Sequence, residues 1–261
     1  YCIQELADND LARVIYLSIQ FYEFHLQSFV YQILCGVKYI HSADVIHRDL
    51  KPGNILVTTQ GVLKICDFGL ARGLNTRYFR NKPSVITNYV ATRWYRAPEL
   101  LLSKRNYGKP IDMWAVGCII AELYGRRPLF MGKHKVDQIH SIMKILGTPS
   151  TEVISRNGWG LNVVGKPQFK KHEFVKLYPF ASTAATSLIT KLVSWDPTSR
   201  PTVEGCLADP YLADVREAES EVNCNKLFDF SFENTHNSTY ELKLLLHEEV
   251  ERFNKLRRQS R

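Results

Sequence analysis

The spacing of apolar positions along this chain changes several times, and each change marks an element. Tyr1 to Leu6 reads as a short opening strand. Phe29, Ile33, Val37 and Ile40 then recur at three- and four-residue intervals, which predicts an amphipathic helix with one buried stripe. Two short segments follow, "NILVT" and "LKICDF", separated by Gln60 and Gly61, and together they read as a hairpin. From Ile111 to Tyr124 the run "IDMWAVGCIIAELY" is apolar on nearly every side. It predicts a helix buried in the middle of a mainly helical domain, stopped by Gly125 and Pro128. Between about Thr151 and Lys171, Gly, Asn, Pro and Lys mix without a period, predicting an insertion or long loop, and "AATSLITKLVSW" is helical again. No internal repeat or low-complexity segment interrupts this pattern, which describes one helix-rich domain carrying a small hairpin.

Composition narrows the picture only slightly. An apolar content of 45% over 261 residues is enough to bury a sizeable core and argues against disorder. The formal charge is +8, but its 34 basic and 26 acidic residues are scattered, so charge alone points to no nucleic-acid partner. The terminal "NKLRRQSR" is the one basic cluster and reads as a solvated helix end. Six cysteines, Cys2, Cys35, Cys66, Cys118, Cys206 and Cys224, lie far apart without zinc spacing, as expected of reduced thiols in an intracellular protein. The longest apolar run, "AVGCIIAEL", is far short of the roughly 20 residues of a membrane-spanning helix, so no membrane is expected. The chain opens "YCIQELADND" without methionine and in mid-pattern, and the expectation is that its beginning is missing.

Chemistry concentrates in two loops. "VIHRDLKPGNIL" offers Asp49, Lys51 and Asn54 between a helix and a strand, and "CDFGLAR" adds Asp67 directly after the hairpin. Phosphoryl transfer needs these parts: a carboxylate to orient the attacking hydroxyl, a cation for the transferred group, and oxygen ligands for Mg²⁺. Taken singly, Asp49, Asn54 and Asp67 also suit turns that cap strand ends.

"HRDLKPGN", "DFG" and "APE", in that order, resemble the signature set of the eukaryotic protein kinases. The resemblance implies a protein-kinase-like α+β fold. Here it would consist of the mainly helical C-terminal lobe with a small hairpin, the N-terminal lobe being absent except for the hinge strand. It implies Asp49 as catalytic base, Lys51 on the γ-phosphate, and Asn54 with Asp67 as metal ligands, with ATP and Mg²⁺ as cofactors. Lys51 followed by Pro52 is the serine/threonine form of the loop. For adenine and ribose it implies Gln4, Glu5, Ala7 and Asp10 at the hinge and Leu56 as the floor. His47 would pack beneath the loop, Asp112 would hold the loop through backbone amides, and Glu99 and Arg200 would tie "APE" to the lower helices.

The stretch "VITNYVATRWYRAPE" places Thr87 and Tyr89 between "DFG" and "APE". A T-x-Y there, followed by "VATRWYRAPE", is similar to the mitogen-activated protein kinases (MAP kinases), as is "LFDFSFENTHNSTYELKLLLHEEVERF" to the extension they carry beyond the catalytic core. The implied division is 1–212 for the catalytic domain, with an insertion at about 150–175, and 213–261 for the extension and basic tail. Phosphorylated Thr87 would be clasped by Arg48 and Arg72, and phosphorylated Tyr89 by Arg93 and Arg96, through bidentate contacts that order a loop. Asn88 stands where the main animal classes have Glu, Pro or Gly, which leaves the upstream activating kinase open. Thr92 would bridge Asp49 and Lys51, and "VATRWYR" would line a pocket for proline after the target hydroxyl. The expected partners are therefore protein substrates with Ser/Thr-Pro sites, together with docking motifs held near Glu217, Glu219, Glu221, His25 and Phe29. A monomer, cytoplasmic and nuclear, is expected. The motifs most resemble the sporulation-specific branch of budding yeasts, implying a role in spore-wall assembly.

No "GxGxxG" loop, "VAIK" lysine or partner glutamate occurs in the chain, so these 261 residues alone are expected to bind ATP poorly and turn over negligibly. The competing readings are a catalytically inactive lobe kept for docking, or another proline-directed kinase. Intact Asp49, Lys51, Asn54 and Asp67 speak against the first.

Overall fold

The computed structural model describes residues 5–73, 93–103, 107–162, 168–230 and 238–259. Glu5 and Leu6 have no regular structure, and the rest of the expected opening strand lies outside the described residues; the first described strand, β1, is Asn9–Asp10. Asp10 ends it and caps helix α1 (Leu11–Tyr16), accepting from the Arg13 amide at 2.8 Å. Helix α2 (Glu23–Ser42) buries Ile33, Val37 and Ile40 of the predicted stripe, while Phe29 is only half-buried and Val30 and Leu34 complete the face that meets the core.

The hairpin is present as β3 (Ile55–Val57) and β4 (Leu63–Ile65), turned at Gly61, whose φ of 77° favours glycine. Strand β1 joins it to give a three-stranded sheet in the order β1-β3-β4. Asp10, Leu56 and Lys64 share one row of its register, while the alternate residues Ile55 and Val57 are buried on the other face. A second antiparallel pair joins β2 (Val45–Ile46) to β5 (Arg72–Gly73).

Helix α3 (Pro98–Leu102) leads to α4 (Pro110–Gly125), where every residue from Ile111 to Leu123 is buried. It ends at Gly125, as expected, and is capped by Arg126, which takes the left-handed conformation with φ 51° and closes the last turn through its amide. Gly117 lets α8 (Thr183–Leu192) approach: a Cβ there would lie 2.7 Å from the Leu192 Cβ. Helices α5 (Lys135–Leu146), α6 (Thr151–Arg156), α7 (Phe174–Leu177) and α9 (Val203–Leu207) pack around this centre. Ser150, Ser182 and Thr202 cap α6, α8 and α9, each worth about 1 kcal/mol. The expected loop at Thr151 therefore begins as a helix, because the Ser150 cap starts a turn too short to show a period.

The last described helix, α10 (Thr239–Gln259), carries the described part of the basic cluster, with Lys255, Arg257 and Arg258 exposed, in keeping with a solvated helix end. No described helix is long and apolar enough to cross a membrane. The five described cysteines are free thiols.

Candidate active site

The loop between β2 and β3 is held from below by one buried carboxylate. Asp112, in the first turn of α4, accepts the Arg48 amide on Oδ1 and the His47 amide on Oδ2, each at 2.9 Å. His41 Nε2 lies 2.9 Å from the same Oδ2. These bonds keep Arg48 in the left-handed region, φ 71°, a conformation that costs a residue with a side chain about 1–3 kcal/mol. The sharp turn leads directly into Asp49, itself buried.

Around Asp49 the predicted side chains converge. Lys51 Nζ donates to Asp49 Oδ2 at 2.6 Å, and Asn54 Nδ2 donates to the same oxygen at 3.1 Å and to the Asp49 carbonyl at 2.8 Å. Asn54 is thereby oriented with its amide nitrogen committed, leaving Oδ1 as its remaining polar atom. Cys66 stitches the second loop to the first: its amide donates to the Asn54 carbonyl, and its carbonyl lies against His47 Nε2, both at 2.9 Å. The next residue, Asp67, is exposed and left-handed with φ 63°, and its Oδ1 accepts from the Gly69 amide at 3.3 Å. Phe68 packs on the His47 ring at 5.0 Å, so His47 is a packing and hydrogen-bonding residue. Two hard oxygen donors, from Asn54 just before β3 and Asp67 just after β4, fit a magnesium ion that also takes phosphate oxygens.

On the hinge side, Leu56 and Asp10 are cross-strand neighbours, in a position to form a floor. Asp10 spends Oδ1 on capping α1, and Glu5 is exposed and paired with Lys64 at 2.5 Å. The Glu5 side chain thus faces the sheet edge, and only its backbone and that of Ala7 remain for a ligand.

The arginines gather beneath the site. Arg48, Asp49, Tyr95, Arg96 and Asp112 line one small cavity. Arg48 stacks over the Tyr107 ring at 5.1 Å; burial lowers its pKa, and the nearby positive charges of Arg72 and Arg96 press in the same direction. Burial likewise lowers that of Arg96, with the Asp49 charge opposing and the Arg93 charge adding to the shift. Glu99 and Arg200 form the expected pair, bidentate at 2.6 and 2.8 Å and fully buried, with Arg200 stacked on Trp114 at 5.0 Å. Gln4, Thr87, Tyr89 and Thr92 lie outside the described residues.

The expected docking patch is only partly as read. Glu221 is buried at its side chain and paired with Arg216 at 2.7 Å and Lys38 at 3.4 Å. Hydrogen bonding from Arg216 and Lys38 holds its carboxyl below the usual range. The run therefore presents Glu217 and Glu219, not three free carboxylates. His25 is occupied in capping α2, accepting from the Tyr22 amide, and Phe29 packs edge-on against Phe21. Beside them a groove of about 600 Å³ opens between α2 and the 214–220 segment.

Sequence reasoning missed His41, Glu122 and Gln138. Glu122 is buried in α4, and its two oxygens accept from Tyr16 at 2.7 Å and Tyr95 at 2.6 Å. A polar residue inside an apolar helix carries no sequence signal of the loop it will meet.

Comparison with known proteins bears on this geometry. The protein kinase domain family matches residues 1–212. The sporulation-specific mitogen-activated protein kinase SMK1 of Saccharomyces cerevisiae is 53% identical over 97% of this chain and 68% of its own length. The mitogen-activated protein kinases mpkA of Aspergillus fumigatus and spm1 of Schizosaccharomyces pombe are each 47% identical over 100% of the chain and 62% of their own length. The chain belongs to the mitogen-activated protein kinases, a family of serine/threonine protein kinases.

Proposed function

We propose that this chain supplies the catalytic loop, the Asp67 metal ligand and the peptide-binding side of a proline-directed MAP kinase, which transfers the ATP γ-phosphate to Ser/Thr-Pro sites in proteins. The observation that carries this reading is the convergence of Lys51 and Asn54 on one oxygen of Asp49, with Asp67 tied alongside through Cys66. Both donors reach Oδ2, which leaves Asp49 Oδ1 to orient the substrate hydroxyl and take its proton as the new P–O bond forms. Lys51, already beside that carboxylate, neutralises charge on the transferred phosphoryl group. Asn54 Oδ1 and Asp67 would hold Mg²⁺, which screens the triphosphate when bound.

The switch belongs to the same proposal. Arg48 and Arg96 line one small cavity, and Arg72 lies near enough for its charge to act on Arg48; guanidinium groups grouped in this way favour an incoming dianion. Phosphate on Thr87, and on Tyr89 beside Arg93, would supply it and order the segment; Thr92 would then close on Asp49 and Lys51. Division at 1–212 and 213–261, docking of partner motifs near Glu217 and Glu219, and action in the cytoplasm and nucleus complete the reading. A sporulation and spore-wall role is supported by the 53% identity to the sporulation-specific kinase.

Phosphate transfer to a Ser-Pro peptide is the test, run on these 261 residues and on a longer reading frame that includes a glycine-rich loop and its lysine. The longer protein should be active and lose roughly a thousandfold or more in kcat on Asp49→Asn, while the 261-residue chain should be nearly inert. Robust transfer by Asp49→Asn would overturn the assignment of the base.

A further inference from the structure

Gln138 lies in the first turns of α5, has no solvent exposure, and spends every polar atom on backbone. Its Oε1 accepts the Gly132 amide at 2.8 Å, and its Nε2 donates to the Phe130 and Trp94 carbonyls, each at 3.3 Å. The Trp94 indole returns a bond to the Gly132 carbonyl at 3.3 Å. Gly132 permits this approach, since a Cβ there would come within 2.3 Å of the Gln138 backbone. Phe130 anchors the assembly to the core by stacking on Trp114 at 5.4 Å. A purely space-filling role would be met by leucine or methionine without the burial cost of a carboxamide.

The second fixing point is Glu122, which takes the Tyr95 hydroxyl at 2.6 Å. Burial raises the Tyr95 phenol pKa, and the Glu122 charge adds to it, so the hydroxyl remains a donor. Adjacent residues of one turn, Arg93–Tyr95, are thus pinned from two helices, Trp94 by its carbonyl and Tyr95 by its ring.

We propose that Gln138 is a positioning residue that, with Glu122, fixes the Arg93–Tyr95 turn and thereby sets selectivity for the residue following the target hydroxyl. This rests on the reading of the site as a proline-directed kinase. Gln138 touches no reacting atom; it acts by holding the wall of the pocket at the height where proline is accepted and a residue with an N–H is left unpaired.

The test substitutes Gln138→Met, which keeps volume and removes all three bonds. The enzyme made from the full reading frame is assayed on paired Ser-Pro and Ser-Ala peptides, and amide hydrogen exchange is followed across residues 93–97. The Ser-Pro preference in kcat/KM should narrow by roughly tenfold, and exchange in the turn should quicken by a similar factor. A lower Tm with preference and exchange both unchanged overturns the proposal, because a merely structural role predicts that result. Should Gln138→Met fail to fold, Tyr95→Phe, which releases the second point, is put to the same two measurements with the same expectations. A wild-type enzyme that phosphorylates neither peptide refutes the kinase reading instead, and the exchange data still decide whether Gln138 holds the turn.

Discussion

Replacing Asp112 with asparagine changes the chemistry of a single side-chain position, yet it tests how the catalytic loop is held. The carboxylate accepts three bonds at 2.9 Å, two of them from consecutive amides. Asparagine has one oxygen. Turned to keep His47 and His41, it sets its own NH₂ against the Arg48 amide, leaving a buried donor facing a donor. An orphaned buried amide costs about 1–3 kcal/mol. The left-handed Arg48, no longer compensated, holds a further 1–3 kcal/mol of about that order, part of which is recovered if the loop relaxes. The expected net loss is therefore about 2–4 kcal/mol of folding stability, read from urea denaturation of Asp112→Asn beside the parent. Hydrogen exchange should localise the damage to the amides of residues 47 and 48, with β3 and β4 unaffected. A loss below about 1 kcal/mol with both amides still protected would show that the loop is held by something else, and the argument from Asp112 would fail.

Other perturbations follow from the same geometry. Glu99→Ala strands a fully buried guanidinium and should cost about 3–5 kcal/mol, while the double variant Glu99→Ala/Arg200→Met should cost clearly less than the sum of the two single changes; additive losses would contradict a coupled pair. Burial raises the Glu122 carboxyl above its ordinary 4.5, against the Tyr95 and Tyr16 hydroxyls that lower it. Its neutral form is thus favoured in the fold, so its contribution is full below pH 4.5 and declines as pH rises through the raised value. Relative to the parent, Glu122→Gln should gain stability across that rise, and denaturation midpoints that run parallel with pH would refute the sign. Gly117→Ala drives a methyl into Leu192 and Val193 and should cost about 1–3 kcal/mol; a neutral Tm would mean that α4 and α8 separate freely.

Much of this site could be read from the chain because its parts are local. Asp49, Lys51 and Asn54 lie within one short loop, so their spacing alone brings them together, and the hairpin that returns Asp67 is announced by alternation and a glycine turn. What could not be read is long-range pairing. The acidic run ending at Glu221 looks exposed until Lys38, 183 residues away, is brought against it. Glu5 and Asp10 suit a nucleotide edge, yet Lys64 and the α1 terminus engage them first. Helix α6 was hidden because two turns cannot establish a period, although Ser150 stood at its start. His41, Glu122 and Gln138 gave no signal, since each is a polar residue on an apolar face whose partner arrives from elsewhere in the chain.

Helix α4 explains why the lower face of the site is rigid. Its interior is apolar all round, as a helix surrounded by protein must be, and its charged side chains stand near its two ends. Asp112 and Glu122 lie roughly 15 Å apart along the axis. At one end Asp112 fixes the catalytic loop, and the Pro110 carbonyl receives Arg200 at 2.9 Å. At the other end Glu122 fixes Tyr16 from the hinge side and Tyr95 from the peptide side, and Arg126 donates to the carbonyls of Ile15, Leu17 and Ile19. Nucleotide-side and peptide-side elements therefore meet on one rod that cannot tilt without breaking buried bonds at both ends.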